Sequence, residues 1–93
     1  MQPLSFCVYV LRSEQDGLFY IGFTTNLKRR LEEHAEGKSR ATACRRPFKL
    51  VYCEYHLDKA DALRREHYFK STIGKRSLRL MIRKALAKDI AMG

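Results

Sequence analysis

Arg30 and His34 stand four residues apart in a stretch with helical patterning, so one helix face would carry a guanidinium beside an imidazole. Together they could bind a phosphate and move a proton next to it, or they could be a solvated face with a spare histidine. Glu66 is more unusual. Ala62 and Leu63 precede it by four and three residues, and Phe69 and Ile73 follow by three and seven. Its carboxylate therefore falls on or beside an apolar stripe. A carboxylate there must be paired, protonated or bound to a cation, and Lys70, four residues on, offers a simple surface pair. Tyr9 and Tyr20 lie in two segments that read as paired strands. Packing is the usual work of a strand tyrosine, and a phenol with a free pKa of about 10 needs help to act as a base.

The cations say more in bulk. From Lys70 to Lys88 there are Lys70, Lys75, Arg76, Arg79, Arg83, Lys84 and Lys88 with no acid between them. Arg76, Arg79 and Arg83 recur at i, i+3, i+7, opposite much of an apolar stripe of Leu78, Met81, Ile82, Ala85 and Leu86. A charge run is ordinarily a solvated face. One-signed charge without compensating acids suits a phosphate backbone and predicts salt-dependent binding.

The elements that must position these groups follow from local pattern. Phe6 to Leu11 is β-branched and aromatic and reads as a buried strand. Asp16-Gly17 is a hairpin signal, and Leu18 to Phe23 reads as the returning strand. Leu18, Tyr20 and Gly22 would share one of its faces, and Phe19, Ile21 and Phe23 the other. Thr25 or Asn26 can cap a helix from about Leu27 to Ala35, with Leu27 and Leu31 as its ridge and Lys28–Glu32 and Arg29–Glu33 as surface pairs. Gly37 would stop it. Lys38 to Pro47 is a basic loop, and Phe48 to Tyr55 a third strand. Asp58 can cap a second helix running to about Thr72, where Gly74 would break the chain before a last helix over roughly Ser77 to Ala87. The fold class is α+β, a three-stranded mainly antiparallel sheet covered by helices in the order β-β-α-β-α-α, with residues 1–93 forming one domain.

Composition bounds the function. The chain has 93 residues, 45% of them hydrophobic, with 19 Lys plus Arg against 10 Asp plus Glu and a formal net charge of +9. That excess draws polyanions, either nucleic acid or an anionic membrane surface. No apolar run approaches the roughly 20 residues that span a bilayer, and no secretory signal is visible, so a cytoplasmic protein is expected. Cys7, Cys44 and Cys53 form no C-x-x-C pair, which argues against structural zinc. They read as two buried strand thiols and one loop thiol.

Taken together these positions resemble the GIY-YIG nucleases, in particular their small single-domain bacterial members and the N-terminal nuclease module of bacterial excision-repair enzymes. Cys7-Val8-Tyr9 stands at the family's first motif and Tyr20-Ile21-Gly22 matches the second. Arg30-Leu31-Glu32-Glu33-His34 fits the helix pattern, and Ala62-Leu63-Arg64-Arg65-Glu66 carries the later acid. The resemblance covers roughly Phe6 to Arg83 and departs where Cys7 replaces a glycine, where Phe23 stands for a lysine, and in having only Asn26 as an asparagine. It implies a DNA endonuclease of low sequence specificity, serving DNA repair or recombination. Glu66 would hold one divalent ion, Mg²⁺ or Mn²⁺, and Arg30 would contact the phosphate. Tyr9 would act as or orient the base, with Tyr20 and His34 positioning phosphate, water or base. Gly22 would let backbone approach the phosphate, and Lys70, Arg76, Arg79 and Arg83 would track the nucleic acid. A chain this small would take specificity from a partner protein and act as a monomer or weak dimer.

Overall fold

The computed structural model describes residues 3–92, and their side chains as far as residue 89. A three-stranded antiparallel sheet is ordered β2-β1-β3, from β1 (Phe6–Ser13), β2 (Phe19–Thr24) and β3 (Phe48–His56). Four helices accompany it: α1 (Leu27–Ala35), α2 (Lys59–Lys70), α3 (Thr72–Met81) and α4 (Arg83–Met92). The central strand is the most apolar segment of the chain, and Cys7 through Leu11 are buried. The Asp16-Gly17 turn forms as expected, with Gly17 at φ +72 and the Asp16 carboxylate accepting from Leu18 N–H at 2.9 Å.

Strand alternation divides the core into two layers. On one side Val8, Val10, Phe19 and Ile21 pack against Ala62 and Phe69 of α2, Leu78 of α3, and Ile82. On the other, Cys7, Tyr9 and Leu11 meet Tyr20, Leu27, Leu31, Phe48 and Cys53. The β2 faces are those its alternation predicts, except that Leu18 precedes the strand and is exposed. The ladder places Tyr9 opposite Gly22 and Leu11 opposite Tyr20. Asn26 rather than Thr25 caps α1, its side chain accepting from Arg29 N–H at 3.1 Å. Cys7, Cys44 and Cys53 are free thiols, buried, exposed and half-buried in turn.

The helical C-terminal half departs from the pattern. The chain breaks at Ser71, not Gly74: Ser71 closes α2 and caps α3, and Gly74 sits in the first turn of α3. The last helix expected at Ser77 to Ala87 is instead two helices meeting at Ile82. Leu78 and Ile82 of its stripe are buried, whereas Met81 and Ala85 face solvent. Ile73, counted on the stripe of Glu66, belongs to α3 and is exposed. Asp89 fastens α4 to the sheet through Arg12 and Lys49, each at 3.2 Å. Among the described residues, no helix is long and apolar enough to cross a membrane.

Candidate active site

Tyr9 anchors the site because β1 is central and its side chain is almost wholly buried. Its ring lies across Gly22 on the neighbouring edge strand. A Cβ on Gly22 would clash with Tyr9 Cζ and Oη and would stand 2.7 Å from Cε1. The glycine thus makes room for the Tyr9 phenol.

Helix α1 brings the next two groups. His34 is buried, with Nε2 2.8 Å from Tyr9 Oη and Nδ1 2.7 Å from Thr42 Oγ1. Tyr20 closes the aromatic cluster, its ring centroid 5.2 Å from His34 and 6.3 Å from Tyr9. Arg30, one turn before His34, donates to Glu33 at 3.0 Å and to Ser39 Oγ at 3.4 Å, and its charge is felt by both phenols. The i, i+4 reading of Arg30 and His34 as one shared face is therefore what the fold uses.

Burial pushes the Tyr9 hydroxyl up to about 12, with Arg30 opposing and the Tyr20 and Glu66 charges adding to the rise. Burial, then the Arg30 charge, holds His34 below the usual histidine range. Both groups are neutral near pH 7. For Arg30, burial works against the charge, but Glu33 and the two phenols outweigh it.

Glu66 comes from the opposite layer. Its side chain is 20% exposed, it pairs with Lys70 at 3.4 Å, and its charge reaches Tyr9. The carboxylate thus forms the surface pair with Lys70, and its charge also acts on Tyr9. Among the described residues no group of three or more His, Cys, Asp or Glu gathers around a common point.

The basic residues divide into two sets. In the loop, Arg45 pairs with Asp16 at 2.9 Å and Arg46 donates to the carbonyls of Ala43 and Ala35, so these cations hold the loop down. On α3 and α4, Lys75, Arg76, Arg79, Arg83, Lys84 and Lys88 are exposed, and among the described residues none of them enters an ion pair. Arg79 lies over the Phe19 ring at 4.5 Å, at the start of β2, and Arg83 donates to the Leu80 carbonyl.

Sequence reasoning missed Ser39 and Thr42, which sit in an irregular loop where no periodicity marks them. It also missed a second polar cluster, in which Glu54 accepts from Tyr52 at 2.8 Å, His56 at 2.7 Å and Arg65 at 2.9 Å. Burial there works to raise the Glu54 carboxyl, but the His56, Arg65 and Tyr52 donors outweigh it and hold it below the usual range.

His34 and Glu54 both make stability depend on pH in the same direction. The folded chain resists protonating His34, so that contribution is complete above about pH 6.5 and is lost as pH falls through the lower folded value. Glu54 contributes fully above its ordinary value and less as pH falls further. Urea midpoints are expected to drop in two stages on acidification, and His34→Gln should remove the upper stage. A midpoint flat from pH 7 to 5 would contradict this.

The chain has relatives among known proteins. A UPF0213 protein of Bacillus cereus is 39% identical over 71 residues, covering 75% of this chain and 73% of that one. A UPF0213 protein of Clostridium perfringens is 35% identical over 83 residues, covering 88% of each. The solution NMR structure of a UPF0213 protein from Bacillus halodurans aligns at TM-score 0.54 with 37% identity, over 82% of this chain and 83% of that one. A family model described as the GIY-YIG catalytic domain matches residues 5–79, a span that holds Tyr9, Tyr20, Arg30, His34 and Glu66, so the chain belongs to the GIY-YIG nuclease family.

Proposed function

We propose that this chain is a divalent-metal-dependent endonuclease that hydrolyses DNA phosphodiester bonds with low sequence specificity, in the cytoplasm and in the service of DNA repair or recombination. The observation that carries the reading is the convergence of Tyr20, Arg30 and His34 on the Tyr9 hydroxyl, with the Glu66 charge in reach. Packing alone would not require an arginine beside two phenols.

Arg30 carries a fixed positive charge at the mouth of the cluster and would hold the scissile phosphate, offsetting the charge that builds there. Tyr9 stays a neutral phenol, so it can take a proton from water only by passing its own onward. His34, neutral and with Nε2 2.8 Å away, would be the acceptor. Tyr20 would orient the phosphate or the water. Glu66 is the residue to hold a divalent ion. A single, partly exposed carboxylate whose partner is an exposed lysine amine fits Mg²⁺ or Mn²⁺, which keep waters and lean on phosphate oxygens. The chemistry that such an ion supplies is polarisation of the phosphate and relief of charge on the departing 3′ oxygen.

Arg76, Arg79 and Arg83 among the unpaired cations of α3 and α4, together with Lys70 at the end of α2, would follow the DNA backbone and would make binding fall steeply with salt. Specificity would then come from DNA structure or from a partner protein.

The test is cleavage of supercoiled plasmid and of branched and flap DNA, in Mg²⁺, Mn²⁺ or chelator, by wild type and by Tyr9→Phe. Metal-dependent product is expected, falling about 10²-fold or more in the variant. Equal cleavage by Tyr9→Phe, or cleavage that survives the chelator, would end this reading.

A further inference from the structure

Ile73 and Leu80 are the most exposed large apolar residues of α3, at 71% and 62%. Aliphatic side chains standing singly on a surface are ordinary. These two share a face. Gly74 and Leu78 are buried and mark the inner side of α3. At about 3.6 residues per turn, Ile73, Arg76 and Leu80 then fall together on the outer side. Arg79 and Arg83 adjoin them, and Arg83 donates to the Leu80 carbonyl at 2.8 Å, which folds its guanidinium back against the end of α3. Among the described residues none of these three arginines enters an ion pair. The face is also firmly held at its start, where the Ser71 hydroxyl donates to Tyr68 O at 2.6 Å and accepts from Gly74 N–H at 3.0 Å.

Aliphatic and guanidinium groups in alternation call for a ligand with the same alternation, apolar surfaces joined by anions. A single DNA strand with unpaired bases is such a ligand, because its base faces are bare and a phosphate follows each one. Paired duplex keeps those faces inside the stack and offers this helix mainly phosphates. An anionic bilayer requires a continuous apolar face, and Arg76 interrupts this one. Seven residues of helix set Ile73 and Leu80 about 10 Å apart, the span of about three stacked bases on one strand. The two side chains therefore reach different bases.

We propose that the outer face of α3 binds the unpaired bases of a single-stranded DNA arm, Ile73 and Leu80 packing on base faces while Arg76 and Arg83 hold the phosphates between. The inference rests on the DNA-binding part of the function proposed above and not on turnover. Arg79 joins this face to the candidate active site. Its guanidinium lies 4.5 Å from the ring centroid of Phe19, the residue before Tyr20 on the edge strand β2. Alternation turns Phe19 and Tyr20 to opposite faces of that strand. A DNA strand passing round the edge of β2 from Tyr20 would come to Arg79 and then to Arg76.

The probe is a duplex with a single-stranded arm in two forms, one with normal bases and one abasic along the arm with every phosphate kept. Fluorescence anisotropy without metal reads affinity with no cleavage in the way. Wild type is expected to bind the base-bearing arm about 10-fold more tightly than the abasic one. Ile73→Gln/Leu80→Gln should bind both forms alike, at the wild-type affinity for the abasic arm and with an unchanged melting temperature. Both positions are exposed, and glutamine is a good helix former. Leu80→Gln alone should already shrink the preference, which keeps the test decisive if the double variant does not fold. Arg76→Gln should weaken both forms and lower the salt slope by about one. Equal binding of the two arms by wild type, or a preference that survives the double substitution, would overturn the proposal. Retention on phosphatidylglycerol vesicles with both arms bound alike would assign the face to a membrane surface instead. No binding of either arm at low salt would end this proposal and the DNA reading together. A wild type that prefers the bases but cuts neither form would count against the nuclease reading alone.

Discussion

Glu66→Gln is expected to lower metal-dependent cleavage by about 10³-fold while leaving the fold and the affinity for DNA in place. Glutamine keeps the shape of the side chain and an oxygen for Lys70, so the pair at 3.4 Å survives as a hydrogen bond. What is lost is the negative charge that would anchor the divalent ion beside Tyr9. Removing an anion from a surface that meets phosphate holds or improves binding. Affinity and turnover should therefore separate, with flap DNA titrated at low salt without metal and cleavage followed with it. A structural role for Glu66 predicts a different result: both measurements would fall together with the melting temperature. Cleavage at the wild-type rate by Glu66→Gln would remove the metal-dependent mechanism altogether. A protein that binds but never cuts, whatever stands at position 66, would be a DNA- or RNA-binding module on a GIY-YIG fold.

The sheet and the pair on α1 were legible for physical reasons that act locally. Alternation along β1 and β2 sorts Tyr9 and Tyr20 onto one face without any knowledge of the rest of the fold. The register that sets Tyr9 against Gly22 is fixed by the Asp16-Gly17 turn, which the sequence also announces. Arg30 and His34 share a helix face by spacing alone. Other features depend on contacts between distant segments and carry no local mark. Thr42 meets His34 because Arg46 and Ser13 pin a ten-residue basic loop against α1 and β1, and read alone that loop was only a run of charge. Arg45 and Arg46, within that run, are engaged inside the fold. Gly22 was singled out for its bare backbone, and the ring of Tyr9 lies where its Cβ would stand.

Gly74→Ala is expected to destabilise the protein by about 3 kcal/mol, and the sign is as informative as the size. If this glycine only interrupted a helix, as its sequence position suggests, alanine would extend the helix and stabilise the chain by up to about 1 kcal/mol. The structure argues for the opposite sign. Gly74 lies buried in the first turn of α3, where the end of α2 passes over it. A Cβ there would run into the Tyr68 carbonyl oxygen, and would stand 2.6 Å from the carbonyl carbon and 3.0 Å from Phe69 Cα. All three atoms are backbone, so no rotamer change can relieve them. The contact is tight because Ser71 serves both helices: its hydroxyl donates to Tyr68 O and accepts from Gly74 N–H at 3.0 Å. Moving Tyr68 to admit a methyl group would break that double cap and tilt Phe69, a fully buried core residue, out of its layer. Glu66 lies one turn earlier on the same helix, so cleavage should fall with stability. Urea denaturation of Gly74→Ala decides between the two signs, and a midpoint at or above wild type would return Gly74 to the role of a simple breaker. A lowered midpoint would identify the α2–α3 corner as the joint that holds Glu66 toward the layer of Tyr9.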